Sequence, residues 1–362
     1  MSQPPSPFTS LFEAHNATFE ATDVPRLPLR VSDFNDEYEA ALERAALFDR
    51  SHRTRLRVGG GDAESFLHNM LTAHVKRLGT DRAEPALFLT NKGKVVADFL
   101  LMRDKDAFLL DVETSGAQTL VESLSRYVIS EDVTIERAQD TSFSLEGARA
   151  AEALEQFLSP TGTSVGELSD LGTIAAGFES SHVRVTARHR FPSPRFDVIA
   201  PEREALALAD ALVSMSDPPA LAGHLVAEAR RIEAGEPRLG YELDGTQLPQ
   251  EAALDDAISF DKGCYIGQEY VVRLAHRGQV SKRLSGLTLS GDEVPPRGAS
   301  VRVGEEQVGE LTSCSYSPRL SSAIALAYLK RGSFEPGQEV AVVQPSGVSR
   351  SGQVESLPFP RS

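Results

Sequence analysis

The chain is poor in cysteine, in positive charge and in long apolar runs, and each shortage removes a class of function. Two cysteines in 362 residues, Cys264 and Cys314, are too few for a disulfide framework, for a self-contained zinc site or for a four-Cys iron–sulfur centre. That usage suits a reducing compartment, so a cytoplasmic location is expected. No stretch of about 18 apolar residues is present, which excludes a membrane-spanning helix. Lys and Arg number 37 against 52 Asp and Glu, a formal charge of −15, so the body of the chain repels nucleic acid and anionic lipid. An anionic ligand then needs a local basic pocket. The eight histidines form no H-E-x-x-H pattern, and no resident metal is expected. Gly59-Gly60-Gly61 lacks the spacing and the lysine of a phosphate loop and reads as a strand-to-helix turn. Met1–Pro7 has neither the apolar core of a signal peptide nor the Arg-rich character of a transit peptide, and residues 1–32 are expected to be a flexible, Pro-rich lead-in.

The remaining composition, 41% hydrophobic and 25% charged, is that of an ordinary globular protein. At about 150 residues per domain the length asks for two or three domains. Apolar residues at spacings of three and four predict a helix from Asp33 to Phe48. Leu56 and Val58 alternate with arginines as in a half-buried strand, Asp62 is placed to cap a helix over Ala63–Leu71, and strands follow at Ala86–Thr90, Val95–Met102 and Ala107–Val112. A helix over Gly116–Val128 and a strand at Val133–Glu136 complete a β-α-β-β-α-β order, the ferredoxin-like arrangement, over residues 33–138. A second α+β unit is expected over 139–283, from strands near Ser142–Leu145, Leu171–Ala175, His182–Val185 and Arg195–Ile199 with helices at Arg149–Leu158 and Glu202–Val213. Asp217-Pro218 is expected to open a long helix through Glu233. From Leu284 to the end, short alternating segments between Gly- and Pro-containing turns predict a small β-barrel.

The chemistry concentrates in Lys262-Gly263-Cys264-Tyr265-Ile266-Gly267-Gln268-Glu269, followed by Arg273, His276, Arg277, Lys282 and Arg283, a basic island in an acidic chain. If the segment is extended, Lys262 and Cys264 share a face, and a nearby ammonium favours a reactive thiolate. A lone cysteine can equally be a small buried hydrophobe, and the basic residues can equally be a solvated face. Cys314 is expected to be structural, in a barrel turn.

The octapeptide Lys262–Glu269 resembles the K-G-C-Y-x-G-Q-E signature of YgfZ-type folate-binding proteins, relatives of the glycine-cleavage aminomethyltransferase, at every fixed position. Leu47–His52, Leu89–Arg103, Arg231–Gly235 with Gly240–Leu243, and Ser317-Pro318 with Ile324–Ala327 resemble segments of that superfamily in the same order. The resemblance implies an α+β fold of two ferredoxin-like units and a C-terminal β-barrel around a central cavity for tetrahydrofolate. It also implies a part in assembling or repairing iron–sulfur enzymes, which would then be its protein partners. In the aminomethyltransferases the segment matching Val95–Leu100 carries two adjacent carboxylates, whereas Ala97-Asp98 keeps one. The transferases carry a pterin-anchoring acid in the region matching Val183–Val198, where this chain reads Arg188-His189-Arg190. Both departures argue against glycine-cleavage chemistry. The expected working pair is Cys264 and Lys262, and the expected folate contacts are Asp98, Arg231, Tyr265, Gln268, Glu269 and Arg273. Asp98 can also be read as simply solvent-facing, and Arg231 as a complement to its helix dipole. Two alternatives stand beside the accessory role: a folate-dependent aminomethyl or methyl transferase, and a scaffold with a vestigial cavity.

Overall fold

The computed structural model describes residues 5–19 and 26–360, with the side chains of His276 and Arg277 outside the description. Those two side chains of the basic island, and Met1–Pro4 and Glu20–Pro25 of the lead-in, therefore lie outside what is described. The chain groups into two compact units.

The first unit, Met1–Phe88, Ala97–Ala227 and Asp261–Tyr265, holds two sheets. In one, the spatial order is Ala83–Leu89, Val95–Asp104, Ala107–Glu113, Arg53–Gly59, Thr134–Arg137. The last four reproduce the ferredoxin-like order, with helices Ala63–Met70 and Thr114–Ser125 as the crossovers. Gly60 turns the chain at φ 108, where a Cβ would come 2.1 Å from the Asp132 carbonyl oxygen, so only glycine fits. Asp62 precedes the helix but does not cap it: its Oδ2 accepts the Asp132 amide at 2.9 Å instead.

The second sheet has seven strands, ordered Ser159–Pro160, Thr173–Phe178, Ser181–Arg188, Arg195–Pro201, Asp140–Glu146, Ala46–Asp49, Ala220–Ala222. Here three sequence expectations are corrected. The helix expected through Phe48 ends at Glu43, and Ala46–Asp49 is a buried strand antiparallel to Asp140–Glu146. The helix expected from Asp217 begins only at His224, because Ala220–Ala222 pairs in parallel with Ala46–Phe48. The lead-in contains the helix Thr9–Ala14, and Phe8 and Phe12 are fully buried in the core with Phe143, Leu154 and Leu208. Two buried phenyl groups gain about 1.5–3 kcal/mol each from leaving water, which fixes a segment whose prolines alone suggested flexibility.

The two sheets are tied by charge. Arg55 is 1% exposed, and from the strand Arg53–Gly59 it donates to Asp140 Oδ1 at 2.6 Å, to the Asp140 carbonyl at 2.8 Å and to Ser142 Oγ at 2.9 Å. The arginines alternating with Leu56 and Val58 thus do not all face water, since a buried guanidinium is tolerated once its fork of donors is satisfied.

The second unit comprises Leu89–Val96, Glu228–Phe260 and Ile266–Ser362. Its centre is a closed six-stranded barrel, ordered Lys282–Leu289, Ser322–Lys330, Glu306–Ser317, Ser300–Val303, Glu339–Val343, Ser349–Glu355, closed by pairing of the first with the last. Alternate residues such as Leu287, Leu289, Val301, Leu311, Ala325, Ala327 and Val342 fill it. The sixth strand carries polar side chains and a glycine, Gly352, where a Cβ would stand only 2.9 Å from Thr288 O and 2.6 Å from Leu289 Cδ2. Cys314 lies within the strand Glu306–Ser317, opposite Ala325, and not in a turn. Burial pushes its thiol up to about 12, which suits a structural residue.

Candidate functional site

The signature divides between the units. Lys262–Tyr265 belongs to the first and Ile266–Glu269 to the second. In the first, Lys262 is buried while Cys264 is exposed, so the expectation that they share one environment fails. The Lys262 ammonium donates to the carbonyls of His68 and Leu71 and, at 3.0 Å, of Ala73. These carbonyls lie at and beyond the C-terminus of the helix Ala63–Met70, where oxygens lack intrahelical donors and attract a cation. Burial lowers the ammonium to about 8, and three acceptors stabilise its charged form. Burial and the Lys262 charge pull His68 down to about 4, leaving that imidazole neutral. Lys262 is thus a clamp on the chain around residues 68–73, with its donors directed to carbonyls and not to the thiol.

The Lys262 ammonium also stands 5.1 Å from the centroid of the Tyr265 ring. The Tyr265 hydroxyl is buried and has no hydrogen-bond partner among the described residues. Burial raises it to about 12, so it stays protonated and is a donor. An orphaned buried donor costs about 1–3 kcal/mol, a cost that a ligand acceptor would remove.

Asp98 lies on the strand Val95–Asp104, half-buried between the buried Ala97 and Phe99. It interacts with the Arg53 guanidinium, which also pairs with Asp111 at 2.8 Å and with Glu113 at 4.0 Å. Burial works against the Arg53 charge, but the three carboxylates outweigh it and hold the group firmly cationic. Asp98 is therefore a half-buried carboxylate within the field of the Arg53 charge.

In the second unit Arg231 has no free fork to offer. Its guanidinium reaches Glu228 Oε2 at 2.9 Å, Glu242 Oε2 at 3.0 Å, Ser313 Oγ at 2.7 Å and the Glu236 carbonyl at 2.5 Å. It ties the helix His224–Glu233 to the barrel strand, so the expected folate contact is a structural node. Gln268 is half-buried, and Glu269 and Arg273 form an exposed i,i+4 pair at 2.6 Å on the helix Gln268–Arg277. With side chains 78% and 64% exposed, that pair is worth little, and nothing around it marks a ligand site.

Gly267 begins that helix at φ 81, and a Cβ there would stand 2.5 Å from the Thr90 carbonyl oxygen and 3.0 Å from Gly93 Cα. The signature glycine thus permits contact with the Thr90–Lys94 turn. Gly267→Ala is expected to cost about 1–3 kcal/mol, read as a lower midpoint in urea unfolding with an unchanged slope.

Sequence reasoning missed Arg50 and Arg195. Arg195 is buried, fixed to Asp197 at 2.7 and 3.0 Å and laid over the Phe191 ring at 4.7 Å. Burial alone would raise the Asp197 carboxyl, but Arg195, Arg50 and Arg188 hold it at about 2. The available signal was the arginine inside the Leu47–His52 block, to which no role was given.

Two family models together span almost the whole chain: the GCVT N-terminal domain matches residues 8–262 and the glycine cleavage T-protein C-terminal barrel domain matches 282–359. The chain belongs to the glycine cleavage T-protein family. Among its relatives in that family, an aminomethyltransferase of Rubrobacter xylanophilus is 32% identical over 337 residues, covering 90% of this chain and 89% of that one. One from Symbiobacterium thermophilum is 30% identical, covering 98% and 97%. A putative chloroplastic transferase of Arabidopsis thaliana is 28% identical over 90% of this chain and 74% of its own. The crystal structure of the glycine cleavage system aminomethyltransferase T from Bartonella henselae superposes with a TM-score of 0.89 over 99% of both chains at 23% identity. The T-protein fold, an α+β N-terminal part followed by a six-stranded barrel, is thereby established. Among the described residues no helix is long and apolar enough to cross a membrane, and no group of three or more His, Cys, Asp or Glu is placed to hold a metal.

Proposed function

We propose that this protein binds a tetrahydrofolate and transfers a one-carbon unit, in the manner that its relatives' name, aminomethyltransferase, indicates. The supporting observation is that those relatives match over about nine-tenths or more of both chains, while Asp98 keeps a carboxylate beside the Arg53 charge on its strand. The residues suit a folate: Asp98 supplies an acceptor for ring N–H groups and Tyr265 an unsatisfied donor. Tetrahydrofolate, when bound, supplies the nitrogen that accepts the one-carbon unit. This chain's residues bind and orient it, with Asp98 holding or receiving a proton at the ring or donor nitrogen. With Ala97 beside it in place of a second acid, Asp98 works as a single carboxylate. The test is turnover of an aminomethyl donor with tetrahydrofolate, followed by mass spectrometry of the folate product. Saturable, folate-dependent product supports the reading, and its absence with active relatives run in parallel overturns it.

A second reading, the YgfZ-type accessory role for iron–sulfur enzymes, draws on one observation: Cys264 of the K-G-C-Y-I-G-Q-E signature is exposed. Cys264→Ala separates the two. As a surface change it should move stability by no more than about 0.5 kcal/mol. The transferase reading expects unchanged turnover, whereas the accessory reading requires loss of iron–sulfur enzyme activity in cells carrying the variant.

A further inference from the structure

Arg50 is an unmatched cation. It follows the buried strand Ala46–Asp49, its amide donates to the Ser142 carbonyl at 3.1 Å, and its Nε is buried without a hydrogen-bond partner among the described residues. Its neighbours are differently placed. Arg53 is paired with Asp111 and Arg195 with Asp197, so each of these has a carboxylate of its own, while Arg50 makes no ion pair among the described residues. Burial and the Arg195 and Arg53 charges push its guanidinium down to about 10, against the pull of Asp197 and Glu146. Arg50 as a whole is half-buried, but polar atoms shut off from water, as its Nε is, are ordinarily hydrogen-bonded, and an unsatisfied one inside a cluster of charges marks a candidate ligand contact. Through Arg53 the cluster extends to Asp98, so an anion on Arg50 would lie in the same set of charges as the proposed reaction carboxylate.

We propose that Arg50 receives a carboxylate of the bound ligand. A single unmatched guanidinium suits a monoanion, and its planar fork takes a carboxylate through two parallel N–H donors. Two ligand classes carry such a group beside an atom for Asp98: a folate through its glutamate moiety, and a small amino acid. The first rests on the folate reading and the second does not.

The experiment is calorimetric titration of wild type, Arg50→Gln and Arg50→Lys with 5-formyl-tetrahydrofolate, with 5-formyl-tetrahydropteroate blocked as its neutral amide and so without any carboxylate, with glycine and with inorganic phosphate. A charge-assisted pair lost to glutamine weakens binding by about ten- to a hundredfold, with partial recovery in Arg50→Lys. Loss for the folate but not the pteroate places the glutamate on Arg50, and loss for glycine alone places an amino acid there. Arg50-dependent glycine binding without folate binding overturns the folate reading and leaves this one standing. The proposal fails if neither carboxylate ligand binds in an Arg50-dependent way, if the pteroate is weakened as much as the folate, or if phosphate binds Arg50 more tightly than either. Folding is checked by the melting temperature. Arg50→Gln removes a charge that makes no ion pair among the described residues and should change it little, whereas Arg195→Gln, which takes from Asp197 its nearest guanidinium, should lower it.

Discussion

Asp98→Asn is expected to lower folate-dependent turnover by about a hundredfold or more, the usual worth of a positioned acid or base, with the fold intact. Asparagine keeps the shape and a carbonyl acceptor but removes the charge and the ability to take a proton. The strand is held by its neighbours, since Ala97 and Phe99 are buried and Phe99 pairs in register with Val112. Arg53 remains charged after the change because Asp111 and Glu113 still face it, so the variant does not leave an isolated guanidinium. Initial rates and an equilibrium titration separate the effects: turnover falls far more than affinity if Asp98 acts on the reacting nitrogen. Equal losses in both would make it a binding residue only, and wild-type turnover would remove it from the mechanism.

The largest effect on stability is expected from Arg231→Leu. Glu242 has no exposed side-chain surface and loses its cation, whereas Glu228 keeps Arg238 at 3.0 Å. Burial disfavours the Arg231 charge, but the two carboxylates outweigh it and hold the group cationic. Breaking a buried pair from one side costs about 3–5 kcal/mol, because Glu242 is left without a cation in a place that water does not reach. Ser313 Oγ still donates to Glu242 Oε1 at 2.6 Å, which softens but does not cancel that cost. Urea unfolding measures it, and a loss below about 1 kcal/mol, the worth of an exposed pair, would show that Arg231 is not the node described.

What the sequence revealed follows from the range of each signal. The helix Glu202–Val213 has the bounds its spacing implies, and the barrel strands show because alternation is local. The sixth strand, Ser349–Glu355, did not show, since its polar faces and Gly352 break the period. Ala46–Asp49 looked like the end of a helix because its apolar residues Ala46, Leu47 and Phe48 continue the preceding run. Only pairing with Asp140–Glu146, almost a hundred positions away, makes it a strand. The site divides in the same way. Lys262, Cys264 and Tyr265 stand out by motif, yet the motif could not show that the lysine clamps carbonyls at residues 68–73 or that the tyrosine hydroxyl is unsatisfied. Arg50 and Arg195 lie 145 positions apart, and their shared electrostatics depends on sheet order that no local window contains.

The most direct test of the central claim is a calorimetric titration of the wild-type protein with tetrahydrofolate under reducing, anaerobic conditions, repeated with Asp98→Asn. Saturable one-to-one binding, with turnover lost in the variant, is the result predicted. Absence of heat and of any melting-temperature shift at millimolar tetrahydrofolate would contradict it.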